Sequence, residues 1–233
     1  MNEEIKKFAE LFDHTLLSAN AVPAEFEKLC AEAREYGFKS VAVNSANIKL
    51  CREFLAKSSV RTGAAISFPL GQCSLKTKLF ETDDAIRDGA QEIDYVCNIG
   101  KLKSGDYKYM EEEMRAITNL CRSAGVTIKV IFENCYLTQD EIVWMSAIAV
   151  DVRPDFIKTS TGYAKGGATV EDVRLMHETV GNTVAVKAAG GIRTLESARQ
   201  VIAAGATRIG SSAGVSIINE LRGLAASAGV GSY

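Results

Sequence analysis

Three prolines in 233 residues leave few places for a rigid linker, and no low-complexity stretch or charge block divides the chain. The expectation is a single domain over residues 1–233, a length that suits one large α/β body. No apolar run is long enough to span a bilayer, which argues against membrane insertion. Lysine and arginine do not outnumber the acids; the formal charge is −2, so no basic field exists to attract nucleic acid. None of the six cysteines (Cys30, Cys51, Cys73, Cys97, Cys121, Cys135) forms a C-x-x-C pair, and their spacing suggests no zinc site. They read as reduced, mostly buried thiols of a cytoplasmic protein. Met1 to Glu10 mix charged and apolar positions and read as a short surface helix, not a signal peptide.

What the chain does have is a repeated phrase. A helical pattern ends at a glycine and a short β-rich run follows: Gly37 before SVAV, Gly89 before EIDYV, Gly125 before VTIKVIF, Gly181 before TVAVK, Gly205 before ATRIG. Glycine accepts the left-handed conformation that closes a helix, and short apolar runs suit buried parallel strands. Eight strands are expected, near 12–15, 40–43, 62–66, 92–96, 128–132, 155–159, 183–187 and 207–210. Pro23 fits the first turn of a helix, and Ser74, Thr138 with Glu141, Thr169 and Thr194 fit helix N-termini. Eight β–α units of this size point to a (β/α)₈ TIM barrel with a short N-terminal helix. A doubly wound sheet comes second, because no G-x-G-x-x-G follows a strand.

Charge intrudes on these strands. Asp13, Asp94, Lys158 and Lys187 are expected at their C-terminal ends, which form the active-site face of such a barrel. Side chains alternate along a strand, so if Ile157 and Val186 face the helices, Lys158 and Lys187 point inward on adjacent strands. Asp94 points inward between Ile93 and Tyr95. Two like charges about 4 Å apart at an effective dielectric of about 20 repel by roughly 4 kcal/mol, about three pK units. One such lysine can therefore lose its proton near neutral pH and attack a carbonyl. The competing reading is a set of buried ion pairs. Lys129 lies lower in its strand and is expected to pair structurally, with Glu133 as the candidate partner.

Loops after strands seven and eight commonly bind phosphate in these barrels. Here they contain Gly190, Gly191 and Arg193, then Gly210, Ser211, Ser212 and Gly214. The glycines let backbone N–H groups approach an anion, and Ser211 or Ser212 can add a hydroxyl. Gly166-Gly167-Ala168-Thr169 can close a third side.

Five segments together resemble the deoxyribose-phosphate aldolase family. They are Asp13-His14-Thr15-Leu16-Leu17, Phe68-Pro69-Leu70-Gly71, Glu92-Ile93-Asp94 with Asn98-Ile99-Gly100, Phe156-Ile157-Lys158-Thr159-Ser160-Thr161-Gly162, and Val186-Lys187-Ala188-Ala189-Gly190-Gly191-Ile192-Arg193. The resemblance implies a class I aldolase that reversibly cleaves 2-deoxy-D-ribose 5-phosphate to D-glyceraldehyde 3-phosphate and acetaldehyde. It implies Lys158 as the Schiff-base lysine, with Lys187 lowering its pKa and sharing proton transfer. Asp94 would be the acid/base partner, supported by Asp13. Gly190, Gly191, Arg193, Gly210 and Ser212 would surround the phosphate. No metal or cofactor is expected, and the partners are a small phosphorylated substrate and, as a further possibility, a second copy in a homodimer or larger homo-oligomer. Another Schiff-base aldolase, a sugar-phosphate isomerase or a non-catalytic sugar-phosphate binder are the alternatives.

The chain departs from the family where relatives often carry a Cys-Val-Asn-Pro-like run; here it reads Ala42-Val43-Asn44-Ser45, so a thiol gives way to Ala42. Some relatives place a phosphate-binding lysine where Tyr163 stands, with Lys165 as a substitute here. Tyr233 matches a C-terminal tyrosine that assists proton transfer in some relatives, although a frayed tail is an equal reading. His14 reads as a packing or hydrogen-bonding residue, His177 as surface, and Trp144 as core.

Overall fold

The computed structural model describes residues 3–224. Among these, eight parallel strands close into a barrel in chain order: β1 Phe12–Leu16, β2 Ser40–Asn44, β3 Arg61–Ile66, β4 Glu92–Val96, β5 Thr127–Ile131, β6 Phe156–Lys158, β7 Ala185–Ala189 and β8 Ala206–Ser211. The barrel replaces the doubly wound alternative. A helix over Glu3–Ala9 precedes β1 and joins the core through Ala9. Among the described residues, no helix is long and apolar enough to cross a membrane.

The expected punctuation is in place. Ser74, Thr138, Thr169 and Thr194 each accept a backbone N–H from three residues on, and Thr138 with Glu141 completes a reciprocal cap. Gly205 shows why one of the repeated glycines is needed. Its φ is +113°, and a Cβ there would lie 2.3 Å from the His177 ring. His177 is accordingly half-buried, not simply a surface residue. Trp144 is half-buried too, and it packs on Tyr107 with ring centroids 4.0 Å apart at the barrel's outer helices.

The seventh strand starts later than its sequence suggests. Thr183 donates its N–H to the Val180 carbonyl, so Thr183 and Val184 belong to the turn after Gly181. β7 then runs to Ala189, and Lys187 stands mid-strand instead of at its end. The shift leaves the register intact: Lys158 still pairs with Lys187 across β6 and β7. Outward side chains such as Ile93, Tyr95, Ile157 and Val186 pack against the helices in one continuous core. The inward positions carry the buried charges, with small residues such as Ala42 and Ala65 between them, and they build the site.

Candidate active site

Alternation along each strand sends Asp13, Asp94, Lys129, Lys158, Lys187 and Arg208 into the barrel. Asp94 is the hub. Its Oδ2 accepts from Lys158 Nζ (2.9 Å) and from Lys187 Nζ (2.7 Å). Its Oδ1 accepts from Lys129 Nζ (2.6 Å). Lys187 Nζ also lies 2.5 Å from Asp13 Oδ2, whose other oxygen accepts from Arg208 Nη1 (2.7 Å). Arg208 continues to Glu92, and Lys129 closes the ring with a 2.6 Å contact to Glu92 Oε2. The two lysines expected together are thus together, bridged by one carboxylate oxygen.

Lys129 was expected to face Glu133, and the structure corrects this. Lys129 points down the barrel axis to Glu92 and Asp94. Glu133 lies past the end of β5 with φ +59°, which turns its carboxylate toward the next loop. There it accepts the Thr161 N–H (3.1 Å) and the Thr161 hydroxyl. Glu92, named only as part of a motif, and Arg208 were not singled out as site residues, although each sits two residues before an inward-facing position at the mouth. That period-2 spacing is the signal that could have found them.

Burial and charge act on Lys158 in opposite directions. Burial pulls its pKa down, Asp94 pushes it back up, and Lys187 and Lys129 lower it again, leaving it at about 8. The largest lowering influence is therefore burial; the neighbouring lysine comes after it. Asp94 is held well below the ordinary carboxylate range: burial alone would raise it, but Lys129, Lys158 and Lys187 outweigh burial. Asp13 is likewise depressed, with Lys187, Lys129 and Arg208 overcoming burial. Lys129 moves the other way, because Asp94, Glu92 and Asp13 outweigh its desolvation. The set therefore contains one amine that is easily deprotonated, surrounded by fixed charges.

Lys158 opens onto a cleft of about 770 Å³, part of it open to solvent, which is lined by Thr15, Ala42 and Asp94. Gly190, Gly191, Arg193, Gly210, Ser211 and Ser212 also line it, and Gly210 sits against Lys187, where a Cβ would come 3.1 Å from Lys187 Cε. Gly190 and Gly191 have φ of +84° and +77°. Ser211 is tied into its own loop: its hydroxyl donates to the Ile192 carbonyl (2.7 Å) and accepts the Ala213 N–H (3.0 Å). The helix over Gly214–Leu221 begins directly behind. Gly167 meets the β7 loop so closely that a Cβ would lie 2.3 Å from the Gly190 carbonyl oxygen. Gly167 and Ala168 thus brace the β7 loop from behind, Gly166 packs on Cys135 instead, and Thr161 and Gly162 supply the third wall.

Tyr163 reaches across the mouth. Its hydroxyl donates to the Leu17 carbonyl, and its ring meets Phe68 edge-on at 5.6 Å. Lys165 is exposed and does not line the cleft. His14 has the packing and hydrogen-bonding role expected of it, bonded to Glu32 (2.7 Å) with its ring tilted against Phe38 at 5.0 Å. Tyr233 lies outside the described residues.

Residues 7–220 match the family model described as DeoC/LacD family aldolase. A deoxyribose-phosphate aldolase of Lactobacillus acidophilus is 53% identical over 222 residues, covering 95% of this chain and 94% of that protein. One from Exiguobacterium sibiricum is 50% identical over 90% of this chain and 95% of its own length. Among solved structures, a tetrameric deoxyribose phosphate aldolase from Aeropyrum pernix superposes with a TM-score of 0.87 at 29% identity, covering 93% and 92% of the two chains. An aldolase designated QR15 also gives 0.87, at 37% identity and 95% and 97% coverage.

Proposed function

This chain belongs to the DeoC/LacD aldolase family, and from that premise we propose that it is a deoxyribose-phosphate aldolase acting through a Schiff base on Lys158. The observation that carries the reading is the Lys158 amine, 5% exposed, sharing one oxygen of Asp94 with the Lys187 ammonium at the base of an open cleft. Neutral Lys158 adds to the C1 aldehyde of 2-deoxy-D-ribose 5-phosphate and loses water to give an iminium. Asp94, Lys187 and bound water relay the proton removed from the C3 hydroxyl. The C2–C3 bond breaks, its electron pair passing to C2 as an enamine, and D-glyceraldehyde 3-phosphate departs. The relay protonates C2, and water releases acetaldehyde and regenerates the amine. Asp94 is kept ionised, so it holds the two ammonium groups in place and passes protons between bound water and Lys187, which bridges Asp13 and Asp94.

The phosphate is assigned to Gly190, Gly191, Arg193, Gly210 and Ser212, next to the start of the final described helix. Ser211 holds that loop in shape, and its hydroxyl serves the loop before it serves the substrate. Residues 1–233 are read as one catalytic domain working in the cytoplasm on a small phosphorylated sugar. A homo-oligomer is the further expectation, supported by the tetrameric Aeropyrum relative.

Borohydride reduction in the presence of substrate tests the assignment. The expected result is one acetaldehyde-derived adduct on the peptide carrying Lys158, and no turnover by Lys158→Arg. Full activity in that variant, or an adduct elsewhere, overturns it. The pH profile is a second check. Adduct formation should rise through a midpoint near the depressed value of about 8, not near the ordinary lysine value of 10.5.

A further inference from the structure

Beneath the mouth lies a second layer of charge that makes no contact with the cleft. Arg208 on β8 donates to Asp13 Oδ1 (2.7 Å) and reaches Glu92 Oε2 (3.2 Å). Its guanidinium also sits 5.1 Å from the centroid of the Phe156 ring, two residues below the nucleophile on β6. Glu92 holds Lys129 from below. Neither Arg208 nor Glu92 lines the cleft.

The charges of the whole layered set can be counted. Three carboxylates face inward: Asp13, Glu92 and Asp94. Four basic groups face them: Lys129, Lys158, Lys187 and Arg208. With every group ionised the interior carries one surplus positive charge. With Lys158 neutral it carries none. The two charged groups at the margin are Arg61 on β3, which is 3.7 Å from Glu92 and faces solvent on its other side, and Glu133, whose carboxylate is bound to Thr161. On β2 the buried inward residue at this level is the uncharged Ser40.

We infer that Arg208 and Glu92 are positioning residues whose opposite charges fix the protonation state of the Lys158 amine from the floor of the barrel. The inference rests on the aldolase reading of Lys158. Arg208 acts through Asp13, which holds Lys187 against the same oxygen that holds Lys158. Glu92 acts through Lys129, which occupies the other oxygen of Asp94. Removing the arginine's charge leaves the interior one short of positive charge, and a proton on Lys158 restores the balance. Removing the charge of Glu92 does the reverse. A buried medium has few mobile charges to screen either change.

The test uses acetaldehyde with cyanoborohydride across a pH series, with the adduct quantified on the Lys158 peptide. Arg208→Met should move the rising limb to higher pH by about one unit, roughly a tenfold slower reaction at any pH on that limb. Glu92→Gln, which keeps the shape and a hydrogen-bonding group, should move it to lower pH by a similar amount. The double variant should return it toward the starting position, and Arg208→Lys should leave it in place. A role confined to packing would not give opposite shifts that cancel. If Arg208→Met fails to fold, the direction of the Glu92→Gln shift alone decides. Limbs that stay put, or that move the same way in both single variants, overturn the inference while trapping itself upholds the aldolase reading. No trapped mass in the unmodified enzyme overturns both.

Discussion

Lys158 and Lys129 are both buried lysines bonded to Asp94, yet their environments give opposite expectations. Lys158 is depressed from 10.5 to about 8, so below pH 8 the folded state must hold a proton there at a cost. The unfolded chain binds that proton more readily between pH 8 and 10.5. Stability contributed at this site therefore rises with pH across that window, and the cost below it is about 3 kcal/mol. Lys158→Met should abolish turnover and raise the melting temperature at pH 7 by several degrees, the gain fading above pH 10.5. Lys129 has the reverse balance, ion-paired to Asp94 and Glu92 at 2.6 Å each. Lys129→Met leaves buried carboxylates without their partner and should cost about 3–5 kcal/mol. Thermal melts of the two variants, side by side, check both statements. A fall in melting temperature for Lys158→Met would refute the idea of a strained nucleophile.

At the scale of elements, the alternation of side chains was legible wherever an apolar strand carried one charged residue. Asp94 between Ile93 and Tyr95, and Lys158 after Ile157, point inward as their neighbours require. The lower layer was harder to see, because attention to strand C-termini passes over Glu92 and Arg208. The start of β7 was not legible, since the turn at Gly181 absorbs two β-branched residues through a bond from Thr183 to Val180. Nor could the hydroxyl of Ser211 be known to be engaged, because its partner Ile192 is nineteen residues away in sequence. The glycine pairs announced close backbone approach, and Gly167 against Gly190 is that approach. Gly167→Ala should separate the β6 and β7 loops and disturb the proposed phosphate end first. We expect at least a tenfold rise in KM for the phosphorylated substrate, with Lys158 trapping by acetaldehyde changed less. Equal losses in both assays would contradict that division of the cleft.

For the whole molecule, the barrel was readable from its glycine-punctuated repeat and the order of its motifs. The closed ring of charge in its interior was not, because it depends on strand register: Lys158 opposite Lys187, Asp94 opposite Lys129, Lys187 opposite Arg208. The cleft has one further chemical character. Ala42 lines it where relatives often have a thiol, and no cysteine is among the residues lining it. Cys135 is exposed, but it packs against Gly166 outside the cleft. Incubation with crotonaldehyde should therefore leave turnover intact, with any thiol adduct found at exposed positions such as Cys135. Rapid inactivation with an adduct bridging Lys158 and a cysteine would show a thiol within reach.

Tyr163 stands where some relatives carry a lysine, and it is tied to Leu17 from the far side of the entrance. The hydroxyl acts as a lintel over the doorway. One hydrogen bond and one edge-on ring thereby join the residue after β1 to the loop after β6, so Tyr163→Phe should loosen that span while leaving every group bonded to Asp94 in place.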